Sequence, residues 1–283
     1  MKYNKKRGSS GLKWIAEITV LLFFLVVALL PIFWGILTSL KPTKIIAAYP
    51  PRLFNFSVSW EHYARIFQTG FSQNLWVSIF DSVVSVFVGL VTGYLCAYGF
   101  QRSRFKFKKL LFYLVIAGIP LSVGSSALLI PNYIYFTKLG MNNHWYTLIL
   151  IYTAYNLPMS IWVIRGGIEA VPIEIEEAAT VDGCAKWYVV LCMVPRFILP
   201  SLAASALFIF IGAWNEFIAS SVMVDAIELR PVQTAIYNYL GFFGQEWGPL
   251  TASAAVAILP ILIVFSLLGR LMISGLTAGS VKE

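Results

Sequence analysis

The chain has 283 residues, 59% of them hydrophobic and only 12% charged, with a formal net charge of +8. Soluble globular domains carry about 25% charged residues, so this composition excludes an ordinary soluble enzyme and indicates an all-α polytopic membrane protein. The positive balance then marks loops on one side of a membrane, not a nucleic-acid-binding surface.

A helix needs about 20 apolar residues to cross the hydrocarbon core. Six segments reach that length: Trp14 to Leu37, Leu75 to Phe100, Leu110 to Ile130, Tyr146 to Ile164, Leu199 to Val224 and Pro249 to Ile273. The basic start, Met1 to Arg7, resembles the first part of a secretion signal. The apolar run behind it is too long and lacks a small-residue cleavage site, so it reads as a retained first span. Pro120 and Pro158 fall inside the third and fourth segments and need neighbouring helices or water to satisfy the carbonyls they free. With the N-terminus inside, the inner loops hold fifteen Lys and Arg residues and the outer loops six. Both termini are therefore expected in the cytoplasm.

Between the spans, Pro50-Pro51 predicts an extended stretch, and Ser59 to Phe67 predicts a short amphipathic helix at the outer surface. Gly166-Gly167 after Arg165 reads as a helix stop. A polar insert, residues 171–192, falls between the fourth and fifth spans on the cytoplasmic side. The outer loop from Asp225 to Gly248 is rich in aromatics and glycine. The whole chain, 1–283, reads as one transmembrane domain with no internal repeat.

Cys96, Cys184 and Cys192 lack ligand spacing and read as small packing residues. His62 and His144 fall in outer loops without companion ligands, so no metal site is expected. No phosphate-cradling Gly-x-x-x-x-Gly-Lys-Ser/Thr loop is present, and no cofactor is expected in this chain. Asp81 and Glu216 are acids inside spans, which makes them functional candidates by default; each also has a purely structural reading. Tyr152, Tyr155 and Asn156 beside Pro158 form a polar-aromatic patch in the fourth segment, suited to contact with a polar solute, with helix packing as the alternative.

The insert carries Glu177-Ala178-Ala179-Thr180-Val181-Asp182-Gly183, preceded by Val171-Pro172-Ile173-Glu174-Ile175-Glu176 and followed by Trp187, Pro200 and Leu202. This string resembles the Glu-Ala-Ala loop of permease subunits of binding-protein-dependent ABC importers. Trp214-Asn215-Glu216-Phe217 and the tail Gly275-Leu276-Thr277-Ala278-Gly279-Ser280-Val281-Lys282 are similar to the maltose-type sugar permeases, specifically the shorter, six-span partner of the permease pair. The resemblance runs from about Leu37 to the C-terminus. Pro195 is a departure: the family places this proline one residue later, so the link into the fifth span is expected to bend differently here.

The resemblance implies a type I ABC importer permease fold and a carbohydrate substrate of oligosaccharide size, moved by alternating access. It implies a second permease forming a heterodimer, two copies of a cytoplasmic ATPase that carry the ATP and Mg, and an extracytoplasmic solute-binding protein. Glu177, Ala178, Ala179, Asp182 and Gly183 would dock the ATPase: small residues permit close approach, the acid can form a charge-assisted hydrogen bond, and the glycine permits a sharp turn. Tyr152, Tyr155, Asn156, Asn215 and Glu216 would line the substrate path. Tyr239, Gly241, Phe242, Phe243 and Gly244 would meet the binding protein. The rival readings are an ABC permease for a polyol or other small solute, and a secondary transporter, whose inverted repeats are not found here.

Overall fold

The computed structural model describes residues 10–122, 126–241 and 244–278. In chain order the helices are α1 (Ser10–Ser39), α2 (Thr43–Ile46), α3 (Glu61–Gln68), α4 (Phe71–Arg102), α5 (Lys108–Ala117), α6 (Ile119–Ser122), α7 (Ser126–Lys138), α8 (Trp145–Glu169), α9 (Ile173–Val181) and α10 (Lys186–Tyr188). A π-helical turn (Val189–Met193) follows, then α11 (Val194–Phe197), α12 (Leu199–Trp214), α13 (Ile218–Met223), a 3-10 turn (Ile227–Leu229) and α14 (Val232–Tyr237). Strands β1 (Leu240–Gly241) and β2 (Gly244–Gln245) pair antiparallel before α15 (Trp247–Ala278).

Among the described residues, four helices are by themselves long and apolar enough to cross a membrane: Lys13–Ser39, Phe71–Arg102, Trp145–Glu169 and Trp247–Met272. They cover the expected first, second, fourth and sixth spans. The third differs from the expected continuous helix. It is divided into α5, α6 and α7, with Gly118 and then Pro120 at the first break, where Pro120 has no N–H for the helical ladder. The expected fifth span is also divided. α12 ends before Asn215-Glu216-Phe217 and α13 follows; ahead of the expected span, Lys186–Phe197 meets α12 at a bend of 80°, flanked by Pro195 and Pro200. Pro158 does not interrupt α8. The glycine pair does not stop it either: α8 runs through Gly166 and Gly167 to Glu169.

Two compact units are distinguished. The first takes the residues up to Thr69 with Tyr239–Val256. Here His62 is buried on α3, and its ring N–H donates to the Lys41 carbonyl at 2.9 Å. A side chain at Gly248 would overlap the His62 ring. The Lys41 ammonium lies 5.0 Å from the Trp34 ring centroid and 5.6 Å from that of Phe56, a cation–π arrangement. Glu61 accepts both the Thr43 N–H and its hydroxyl at 2.8 Å. The Thr43 N–H, then the hydroxyl, hold the Glu61 carboxyl below its ordinary value.

The second unit takes Gly70–Asn238 with the rest of the chain from Ala257. Its core is α4, α8 and α12. Helices in lipid gain no hydrophobic drive toward one another, so close approach at small residues holds them together. Such a seam runs through this unit: Gly93 against Ser160, Ser160 hydrogen-bonded to Ser205 at 2.7 Å, and Gly167 against Ser201. An added Cβ at Gly167 would stand 2.7 Å from the Cβ of Ser201. That contact is the reason for a glycine at 167.

Candidate functional site

The insert folds as α9, a turn, and the short run of α10, the π turn and α11. Pro172 precedes α9, and Glu174 and Glu176 in its first turn complement the positive end of the helix dipole. Gly183, at φ 88°, closes the other end. Its N–H donates to the Thr180 carbonyl at 3.2 Å, and the Cys184 N–H donates to the Ala179 carbonyl at 2.9 Å. This is the paired Schellman closure, which calls for a left-handed residue at this position.

The helix has two distinct faces. Glu177, Ala178, Asp182 and Gly183 are exposed, as are Val181 at 87% and Trp187 at 74%. Ala179 departs from the expected docking set. It is 8% exposed and packs with Val171, Ile168 and Val189 in the core. Its small size serves the inward contact.

Glu176 also faces inward, and it is the centre of a group that the sequence reading missed. Its Oε2 accepts the Tyr98 hydroxyl at 2.7 Å, and its Oε1 accepts the Arg102 Nε–H at 2.7 Å. The Arg102 Nη2 lies 2.7 Å from the same oxygen. That nitrogen also donates to the carbonyls of Val171 at 2.7 Å and Ile168 at 3.3 Å. The two charged side chains are only 13% and 9% exposed. Breaking a buried pair by removing one partner typically costs about 3–5 kcal/mol. One turn further back on α4, the Tyr94 hydroxyl donates to the Val190 carbonyl. The signal was the spacing of Tyr94, Tyr98 and Arg102, four residues apart on one helical face.

The Tyr94 contact explains how the shifted proline is tolerated. Across the π turn, the Val194 N–H reaches back five residues to the Val189 carbonyl. The Val190 carbonyl would look to residue 195 in the same pattern. Pro195 has no N–H, and the Tyr94 hydroxyl supplies the missing donor. Cys184 packs partly buried beside this core. Cys96 and Cys192 are exposed, so the packing reading fails for those two. Among the described residues, no group of three His, Cys, Asp or Glu could hold a metal.

The residues expected along a substrate path divide. Glu216 caps α13: its two carboxylate oxygens accept the N–H groups of Ala219 at 2.7 Å and Ser220 at 3.1 Å. Asn215 is exposed, with its amide bonded to the Ile211 carbonyl. Tyr152 is buried with Leu148, Ala213 and Met223. The Tyr155 hydroxyl accepts the amide of Asn132 at 2.9 Å. Asn156 fills the space beside Gly212, where an added Cβ would overlap it. Asp81 is 2% exposed on α4.

The expected binding-protein contact is a hairpin. Gly241 pairs with Gly244 and Leu240 with Gln245, and the Tyr239 carbonyl accepts the Glu246 N–H at 3.1 Å. Phe242 and Phe243 lie outside the described residues. His144 precedes α8 and stacks on Tyr146 with ring centroids 5.0 Å apart.

Residues 89–277 match the family described as "Binding-protein-dependent transport system inner membrane component". The chain belongs to this family. All of α9, and Tyr94, Tyr98 and Arg102 on α4, lie within the matched range. Across the full length, the chain is 31% identical to the diacetylchitobiose uptake system permease protein DasC of Streptomyces coelicolor, covering 98% of this chain and 99% of the relative. It is 29% identical to the trehalose transport system permease protein SugB of Mycobacterium tuberculosis, covering 90% and 93%. Its fold is similar to a chain in the crystal structure of a bacterial ABC transporter involved in the import of the acidic polysaccharide alginate. That match has a TM-score of 0.78 at 19% identity, covering 95% of this chain and 99% of the other. As an inner-membrane component of this family, the chain is a multi-pass protein of the cytoplasmic membrane.

Proposed function

We propose that this chain is a permease subunit of a carbohydrate ABC importer, coupled to ATP hydrolysis through the exposed face of α9. The observation that carries the coupling assignment is the division of α9 into two faces. Glu177, Ala178, Asp182 and Gly183 look outward on a short rigid helix, while Glu176 and Ala179 tie that helix to the bundle. The carbohydrate assignment rests on the names of the relatives, which include diacetylchitobiose and trehalose systems. A polyol remains the alternative substrate class.

In this reading the chain catalyses nothing. ATP and Mg belong to two copies of a separate ATPase, and a second permease completes the path. A solute-binding protein delivers the sugar to the outer loop that holds Tyr239, Gly241, Phe242, Phe243 and Gly244. Tyr152, Tyr155, Asn156, Asn215 and Glu216 lie along the path, with Glu216 and Tyr152 acting through helix geometry. The six-span arrangement is kept, with α5–α7 as the broken third span and α12–α13 as the broken fifth.

Both termini are cytoplasmic in this reading. Support comes from the cations gathered at the α9 end of the bundle. Arg102 grips Glu176, and Arg165 and Lys108 both bond Gln101, one residue before Arg102 on α4. Inner loops collect such residues. The experiment is site-directed cross-linking from Asp182→Cys, with the native cysteines replaced, in the assembled complex. A cross-link to the ATPase that depends on position 182 is expected. Cross-linking only to periplasmic protein would overturn both the coupling role and the orientation.

A further inference from the structure

The face of α4 that meets the coupling segment carries Tyr94, Tyr98 and Arg102 at successive four-residue steps. All three donate, and all three grip the same cytoplasmic segment at different points: Tyr94 the Val190 carbonyl, Tyr98 one Glu176 oxygen, and Arg102 the other oxygen with the carbonyls of Ile168 and Val171. Arg102 is the last residue of α4. It therefore joins three elements at one point: the end of α4, the end of α8 and the first turns of α9.

The remaining contacts of α9 with the bundle are of a different kind. Ala179 and its neighbours are apolar and non-directional, so they allow sliding. Charge-assisted hydrogen bonds resist it, because they weaken with displacement and misalignment. A cleft of about 320 Å³ opens beside the ladder, lined by Tyr98, Arg102, Glu176, Thr180, Lys186 and Val190. A displaced α9 would thus have open space on that side, and the ladder is what makes α4 move with it. Glu176 and Glu177 are consecutive, one turned inward and one outward. A push on the outer face reaches the ladder across the width of a single helix.

We propose that Tyr98, Arg102 and Glu176, supported by Tyr94, are positioning residues that form the joint passing motion of α9 to α4 and α8. This rests on the coupling reading of α9. The joint converts a docking movement into a movement of the transmembrane core. Its loss would leave ATP hydrolysis running while less solute crosses per ATP.

The test uses the assembled importer in proteoliposomes, measuring ATP hydrolysis and uptake of labelled oligosaccharide in the same sample. The variants are Tyr98→Phe, Glu176→Gln, Arg102→Lys and, as reference, Glu177→Lys. Uptake per ATP is expected to fall about tenfold in Glu176→Gln and Arg102→Lys, in line with the loss of one strong charge-assisted contact. It should fall less in Tyr98→Phe, with stimulated hydrolysis retained in all three. Unchanged uptake per ATP, or parallel loss of both activities, would overturn the joint. If Arg102→Lys fails to assemble, Tyr98→Phe decides, because it removes one oxygen and leaves the charged pair intact. The reference variant separates the two claims. If Glu177→Lys abolishes stimulation while the ladder variants behave as wild type, the joint fails and the coupling helix stands. If Glu177→Lys changes nothing, the coupling reading itself fails.

Discussion

Gly183 offers a direct separation of backbone strain from docking. It sits at φ 88°, and nothing lies within 4 Å of the place where a Cβ would stand. Within this chain, then, alanine meets no clash and only the left-handed conformation opposes it. That penalty is about 1–2 kcal/mol, which corresponds to a factor of about 5–30 in the population of the closed turn. Asparagine visits the left-handed region more readily than alanine, so strain alone ranks Gly183→Asn above Gly183→Ala. A partner surface seated on the exposed turn imposes the opposite order, because asparagine is larger. The assay is substrate-stimulated ATP hydrolysis of the assembled complex, normalised to the ATPase that co-purifies. We expect Gly183→Ala to retain part of the stimulation and Gly183→Asn to retain less, with both chains inserted in the membrane. Stimulation in Gly183→Asn equal to or above that in Gly183→Ala would refute the close-docking argument.

Gly167→Ala should destabilise the α8–α12 seam by about 1–3 kcal/mol, the usual range for overpacking; thermal unfolding in detergent measures it, and adding Ser201→Gly should restore the loss, whereas a harmless Gly167→Ala would contradict the seam. At Glu61 the folded-state carboxyl titrates below its ordinary 4.5, so its contact with Thr43 stabilises the first unit at neutral pH and is lost as pH falls through the depressed value. Glu61→Gln should therefore unfold at a lower temperature than wild type at pH 7, and the difference should vanish well below pH 4.5; a difference that persists in acid would point to another cause. Deleting residues 238–244 should lower the stimulation of ATP hydrolysis by loaded binding protein while basal hydrolysis and assembly persist, and unchanged stimulation would leave the hairpin only an anchoring role.

Much of this was legible in the sequence because the signals were local. The apolar runs revealed α1, α4, α8 and α15, and Ser59 to Phe67 foretold α3 to within two residues. The string from Glu177 to Gly183 marked α9 and its closing glycine. What escaped depends on tertiary partners. Gly166-Gly167 looks like a stop in isolation, but a helix interior accepts glycine where a neighbour such as Ser201 presses on it. The run from Leu199 to Val224 is apolar enough for one span; the break at Asn215 forms because Glu216 turns back to cap the next helix. The Glu-Ala-Ala motif pairs Ala179 with Ala178 as small docking residues, but consecutive residues on a helix point about 100° apart, and only Ala178 stays exposed. In the sequence Arg102 is one of five Lys and Arg residues between positions 102 and 109, and nothing local sets it apart. Sequence separation hid its pairing with Glu176, since the two partners stand 74 positions apart in the chain.

The central claim is that ATP hydrolysis elsewhere drives solute movement through this chain by way of α9. The most direct measurement is uptake of a labelled oligosaccharide into proteoliposomes that contain both permeases, the ATPase and the loaded binding protein, comparing wild type with Glu177→Lys. The account predicts ATP-dependent uptake in the wild type and loss of both uptake and stimulated hydrolysis in the variant, with all subunits still assembled. Uptake that proceeds without the ATPase, or that survives Glu177→Lys unchanged, would contradict it.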